Sequence, residues 1–201
     1  MARQKARSGS PQPGAQGAIL DAALSLLRDV RGADITTDAV ARKAGCAKGL
    51  VHYHFKAKDQ LLAAAAEHLW RRRTSSWTAA LGSVTPKAAI RAAWETLLAE
   101  ASGGEAAACA ALGLRADELV VRSVSAGRVA FAREIGAAVE RLLGQLRLEP
   151  SVPVPELGAL FVAVVEGIGL QLGSGAAADD MEQAWSAFWA GLLSLTRPRR
   201  D

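Results

Sequence analysis

Residues 36–55, TTDAVARKAGCAKGLVHYHF, limit the folds open to this chain more than any other stretch. Thr36 and Thr37 offer a helix N-cap, Val40, Ala41 and Ala44 share one apolar face, and Gly45 is placed to end the helix. After Cys46 and Ala47, KGLVHYHF begins a second short helix, anchored by Leu50 and Val51 and leaving Lys48, His52 and Tyr53 outward. Short helix, glycine turn, short helix is the layout of a helix-turn-helix, whose second helix can enter the major groove of DNA.

The surroundings supply more helices. Half of the 201 residues are hydrophobic but only 5% are aromatic, a balance of alanine, leucine and valine that favours packed helices over sheets. From Ala15, the residues Ile19, Ala22, Ala23, Leu26, Leu27 and Val30 fall at helical spacing until Gly32. Lys58 opens a longer helix with Leu61, Leu62, Ala65 and Leu69 along one side. Further on, Thr85 caps and Pro86 begins a helix with the stripe Ile90, Ala93, Trp94, Leu97 and Leu98. Helices are predicted at about 106–121 and 124–147, EPSVPVP breaks the chain, and two more follow at about 155–173 and 180–195. The expected fold is all-α: a disordered basic arm at 1–14, a three-helix DNA-binding head at 15–73 with its motif at about 36–55, and a larger helical part at 74–201.

Charge is divided along the chain. Residues 1–73 carry 13 Lys and Arg against 6 Asp and Glu, so the total of +4 conceals a front of +7 and a rear of −3. A basic first third suits a polyanion, with a solvated surface as the plain alternative. Cys46 and Cys109 suggest no disulfide framework and the opening does not resemble a secretory leader, so a cytoplasmic location is expected. The apolar run 157–172 contains Glu166 and Gln171 and is shorter than a membrane span requires; it is read as a buried helix, with no membrane partner expected.

The stretch TTDAVARKAGCAKGLVHYHFKAKDQLLAAA resembles the DNA-binding signature of the TetR family of bacterial transcriptional regulators. Thr37, Ala44, Gly45, Gly49, Tyr53, Phe55, Lys58 and Leu61 all match that pattern, as does Gly32 upstream. The departures are Ala47, where a hydroxylated or acidic cap is frequent, and Cys46, where an aliphatic is usual. The resemblance implies that Thr37, Lys48, Tyr53 and Lys58 hold DNA phosphates while Gly49, Leu50 and His52 approach base edges, with Thr36, Ala47 and His54 in the same surface. It also implies a homodimer on a palindromic double-stranded operator, released by an unidentified small-molecule inducer, with no cofactor. A ligand-independent activator or architectural protein is the alternative.

Other chemistry fits the residues poorly. His52 and His54 are two apart on a helix turning about 100° per residue, so their side chains diverge and no metal site is expected. A helical enzyme using His52, His54 or Cys109 lacks any recognisable nucleophile or phosphate-loop spacing, and no enzyme activity is expected. Trp70, Trp77, Trp94, Phe131 and Glu166 are candidates to line an effector pocket, with ordinary core packing as the alternative for each. Glu166 could instead pair with an arginine of the preceding helix. Leu157, Phe161, Val164, Ile168, Trp185, Phe188, Trp189 and Leu192 on the last two helices are expected at a four-helix dimer interface, or else to close the monomer core.

Overall fold

Alanine- and leucine-rich stretches bounded by caps and glycines fold into helices throughout the residues described by this computed structural model, 14–29 and 35–199. In chain order they are α1 (Ala15–Asp29), α2 (Thr37–Lys43), α3 (Lys48–His54), α4 (Lys58–Leu81), α5 (Pro86–Gly103), α6 (Glu105–Gly113), α7 (Glu118–Gln145), α8 (Val154–Gly173) and α9 (Ala178–Ser194), with strands β1 (Leu148–Pro150) and β2 (Thr196–Pro198). The expected arm, apart from Gly14, and the positions of Val30 and Gly32 lie outside the described residues. Caps act where the sequence placed two of them: the Thr36 hydroxyl oxygen accepts the Ala39 N–H at 3.1 Å, and Thr85 accepts that of Ala88 at 3.3 Å ahead of Pro86.

Two boundaries differ from the sequence expectation. The helices placed at 106–121 and 124–147 are Glu105–Gly113 and Glu118–Gln145, with the break at 114–117. Apolar periodicity runs across this break, but Gly113 weakens the helix, Leu114 projects into solvent, and Arg115 pairs with Asp117 at 3.3 Å beside the new helix start. EPSVPVP does break the chain, but part of it is also β1, antiparallel to β2 with Glu149 opposite Arg197. Their side chains bond at 2.7 Å across 48 residues, a pairing no local pattern reveals.

The core is arranged around α4. This helix packs against α1, α5, α6 and α7, and α7 in turn packs against α8. Leu61, Leu62, Ala65, Ala66, Leu69, Trp70, Trp77 and Leu81 bury α4 on more than one side, and the helix continues through residue 73 without interruption. The head and the larger part therefore share it. α8 is long and apolar enough to cross a membrane by length and composition. Here it packs on α5, α6, α7 and α9 through buried Leu157, Phe161, Val162, Val165 and Ile168.

That packing favours the second of the two readings given for the last two helices, closure of the chain's own core. Of the eight residues expected at a dimer interface, Leu157, Phe161, Ile168, Trp185, Trp189 and Leu192 are buried within the chain itself, and Val164 and Phe188 are partly buried against the same core. An apolar helix of this kind has two sides, and periodicity does not say which one faces its own chain. The solvent side of α8 carries Leu160, Ala163 and Leu170, and that of α9 carries Ala184, Ala187, Gly191 and Leu193.

Where α7 crosses α8, two glycines bring the backbones together. A Cβ on Gly136 would lie 2.7 Å from the Val154 carbonyl oxygen, and one on Gly158 would collide with the Ala132 carbonyl. The clash is with backbone, which cannot swing aside. Gly158→Ala should therefore lower stability by about 1–3 kcal/mol, read as a reduced denaturation midpoint with an unchanged slope.

Candidate nucleic-acid interface and ligand cavities

Backbone geometry sets the outward face of the helix-turn-helix. Gly45 adopts a φ of +64°, in the left-handed region that favours glycine. The turn is tied by Cys46 N–H to the Ala41 carbonyl at 3.0 Å. Val51 and Phe55 are buried, and half-buried Leu50 and Cys46 lean on the same core. Leu50 is thus partly withdrawn from the surface assigned to it. Thr36, Ala47, Lys48, Gly49, His52 and Tyr53 are exposed, and nothing lies within 4 Å of where a Cβ on Gly49 would stand. Tyr53, the chain's sole tyrosine, is 62% exposed, an unusual position for a large aromatic unless it meets something.

Other members of the set are partly withdrawn. Thr37 and Lys58 are half-buried at the starts of α2 and α4. His54 is also half-buried, its ring set edge-on to Tyr53 at 5.3 Å and tilted against Phe55 at 6.2 Å. Its Nε2 is enclosed with no hydrogen-bond partner among the described residues. Lys48 is anchored by Asp38 of α2 at 3.0 Å, so its ammonium is held at the entrance to α3 instead of sweeping freely. Ala47 supplies no side-chain cap, leaving the first N–H groups of α3 without one. Arg42, Lys43 and Lys56 add exposed positive charge around this face.

Two cavities lie further along α4. An open groove of about 750 Å³ runs between α4 and α7, lined by Glu67, Trp70, Arg71, Thr74, Arg122 and Gly127 among others. A smaller chamber of about 80 Å³ lies among α4, α5, α6, α7 and α8, and its wall includes Arg73, Glu100, Cys109, Arg128 and Glu166. Of the sequence candidates for an effector pocket, Trp70 lines the groove and Glu166 the chamber. Trp77 and Phe131 are wholly buried and Trp94 nearly so. Trp77 packs edge-on to Phe161 at 5.6 Å, within an aromatic cluster that also holds Trp185, Phe188 and Trp189. The pairing foreseen for Glu166 is present, since Arg128 of α7 stands 3.3 Å from it.

Arg73, in the wall of the chamber, was not singled out by its place in the sequence. Its side chain is 3% exposed, and its guanidinium lies 4.9 Å from the ring centroids of both Trp70 and Phe131. Nε donates to Glu100 Oε1 and Oε2 at 3.1 and 3.2 Å, Nη2 lies 3.0 Å from Oε2, and Nη1 donates to Cys109 Sγ at 3.4 Å. Burial alone would lower the pKa of Arg73, but Cys109, Glu100 and Glu166 outweigh it and the pKa is raised. Burial pushes the Cys109 thiol up to about 11, partly offset by Arg73 and reinforced by the two carboxylates. The only sequence signal for Arg73 was its position within the WRRR run, where periodicity would place it on the buried side.

A second ionic group joins the head to the rest. Glu105, at the start of α6, lies 2.8 Å from Arg28 of α1 and 3.4 Å from Arg72 of α4. Arg72 also reaches Asp21 of α1 at 2.9 Å, and His68 stands 3.2 Å from the same carboxylate. Gly104 lets this approach occur, because a Cβ there would lie 2.8 Å from the Arg28 side chain.

Comparison with known proteins bears on the head first. Residues 19–65 match the family described as bacterial regulatory proteins, tetR family. The reading head is therefore similar to the TetR family of regulators. A 75-residue stretch is 33% identical to the HTH-type transcriptional regulator BetI of Brucella anthropi, a match covering 37% of this chain and only 39% of that relative. Similarity of fold extends much further. A transcriptional regulator from Rhodococcus sp. Rha1 is 22% identical with a TM-score of 0.72, covering 90% of this chain and 97% of its own. A TetR-family transcriptional regulator from Agrobacterium tumefaciens is 20% identical with a TM-score of 0.69, covering 92% and 98%. The TetR-type head is thus shared in sequence, and the larger helical part in fold.

Within the larger helical part, the buried Arg73–Glu100 pair is the feature most sensitive to loss of one partner. Glu100→Ala leaves a desolvated guanidinium without its carboxylate and should cost about 3–5 kcal/mol. The double change Arg73→Met with Glu100→Leu removes both charges and should recover most of that loss, as chemical denaturation of the three variants will measure.

Proposed function

We propose that this chain is a homodimeric DNA-binding transcriptional repressor, freed from a palindromic operator by a small-molecule effector. The observation that carries the DNA-binding part is the exposed face of α3. Lys48, Gly49, His52 and Tyr53 stand outward together on a helix whose other side is locked by Val51 and Phe55. In this reading Lys48, Tyr53, Thr37 and Lys58 hold phosphates and set register, while Gly49 and His52 come near base edges. The half-buried ring of His54 supports Tyr53 more than it contacts DNA.

Dimerisation supplies the second head. The solvent faces of α8 and α9 expose Leu160, Leu170 and Leu193 among alanines and glycines, a surface that favours close helix packing against its own copy. Two heads about 34–36 Å apart would then meet successive major grooves. The effector part rests on the cavities beside α4, the helix that follows the reading head directly. A ligand there contacts the same rigid element that positions α3, and the α6 contact to Arg28 offers a second mechanical link. Ligand-favoured conformations with another head spacing would lose the operator. These cavities favour this reading over an architectural protein with a filled core. A thiol enzyme is disfavoured because Cys109 is buried, with its pKa raised to about 11, so it is overwhelmingly protonated at neutral pH.

The operator can be obtained by selection from random duplexes. On it, Lys48→Ala should weaken binding by removing a phosphate contact and reduce the salt dependence by about one unit of slope. Tyr53→Phe should weaken binding too, with the dimer intact by light scattering. Unchanged affinity in both variants at physiological salt would remove the reading role from α3.

A further inference from the structure

We infer that the chamber among α4, α5, α6, α7 and α8 is a binding site for a small organic carboxylate, whose head group bonds to Arg73 and Arg128 in place of Glu166. This deepens the effector half of the proposed function by giving the site a ligand class, and the binding itself requires no DNA.

The argument turns on which charges are already satisfied. Arg73 has five N–H donors, of which Glu100 and Cys109 engage Nε, one on Nη2 and one on Nη1. Glu166 is 3.9 Å from Nη1, beyond hydrogen-bond distance, so a strong acceptor that takes its place closer to Nη1 would gain bonds that the resident carboxylate does not make. Arg128 offers the second cation. It is half exposed and holds Glu166 only through Nε at 3.3 Å. Glu166 is thus the replaceable acceptor, and its side chain already reaches solvent.

A cationic ligand would face the reverse situation. Both oxygens of Glu100 are engaged by Arg73, and Arg73 is packed against two aromatic rings, so the buried carboxylate is not available without dismantling the core. Only Glu166 would remain for a cation, already beside two guanidinium groups.

Size and lining narrow the ligand further. The volume, about 80 Å³, suits a carboxylate and its first few carbons. The rest of the wall is Ala106, Ala110, Val165, Gly169 and Leu170, an apolar path that ends at the half-exposed Leu170. Gly169 keeps this path narrow but open, because a Cβ there would stand 3.2 Å from that of Ala106. A charged head inside and a short aliphatic tail along α8 match these surfaces.

The test is calorimetric titration of the full chain with pentanoate, pentan-1-ol and pentylammonium. Pentanoate should bind once per chain, and the alcohol and amine should not. Arg128→Gln should weaken pentanoate at least about tenfold, and Glu166→Gln should tighten it by removing the competing charge. Ala110→Leu should block binding while keeping the unfolding midpoint near that of the parent. Equal binding of the alcohol, preference for the amine, pentanoate affinity indifferent to Arg128→Gln, or no pentanoate binding even to the Glu166→Gln protein would each overturn the assignment. Operator binding measured alongside separates the two proposals: loss of one result leaves the other standing.

Discussion

Arg73 places a full positive charge in the middle of an alanine, leucine and tryptophan core, and the larger helical part is organised around it. Its partners come from successive elements: Trp70 from its own helix, Glu100 from α5, Cys109 from α6, Phe131 from α7 and, at longer range, Glu166 from α8. Helix packing by apolar ridges alone tolerates small slides and rotations. A buried guanidinium bonded to one carboxylate and packed against two rings does not, because any shift leaves charge unpaired in a low-dielectric interior. The group therefore aligns five helices at one level of the bundle.

The same level is where packing gives way to space. Trp70 lines the open groove, and Arg73, stacked on its ring, lines the chamber. Toward the N-terminus, α4 leads to the helix-turn-helix, and α6 reaches α1 through Glu105 and Arg28. Two connections thus run from the cavities to the head: one covalent, along a continuous helix, and one ionic. The ionic one is partly buried and lies beside Gly104 in a left-handed conformation, so little room is left for a shift of α6 that does not also move Arg28.

Much of this was legible residue by residue. Thr36, Gly45 and Pro86 act locally, through capping, positive φ and fixed φ, and each stands where its chemistry predicts. The outward face of α3 followed from the apolar side of Leu50 and Val51. The break at 114–117 was missed because the apolar period continues across it, and the β1–β2 pair because its partners are 48 residues apart. Trp77 and Phe131 drew attention as large side chains among alanines, but size fits a packed core as well as a pocket wall.

Sequence by itself determined the helical class, the turn that sets α3 outward and the resemblance of the head to a known DNA-binding signature, since each depends on residues within a few positions of one another. Tertiary structure alone decided which side of α8 and α9 is buried, that Arg73 meets Glu100, and that Glu166 is held by Arg128 at the edge of a chamber. An amphipathic pattern gives a helix its faces, but only the packed neighbours decide which face is covered and which charges must find each other.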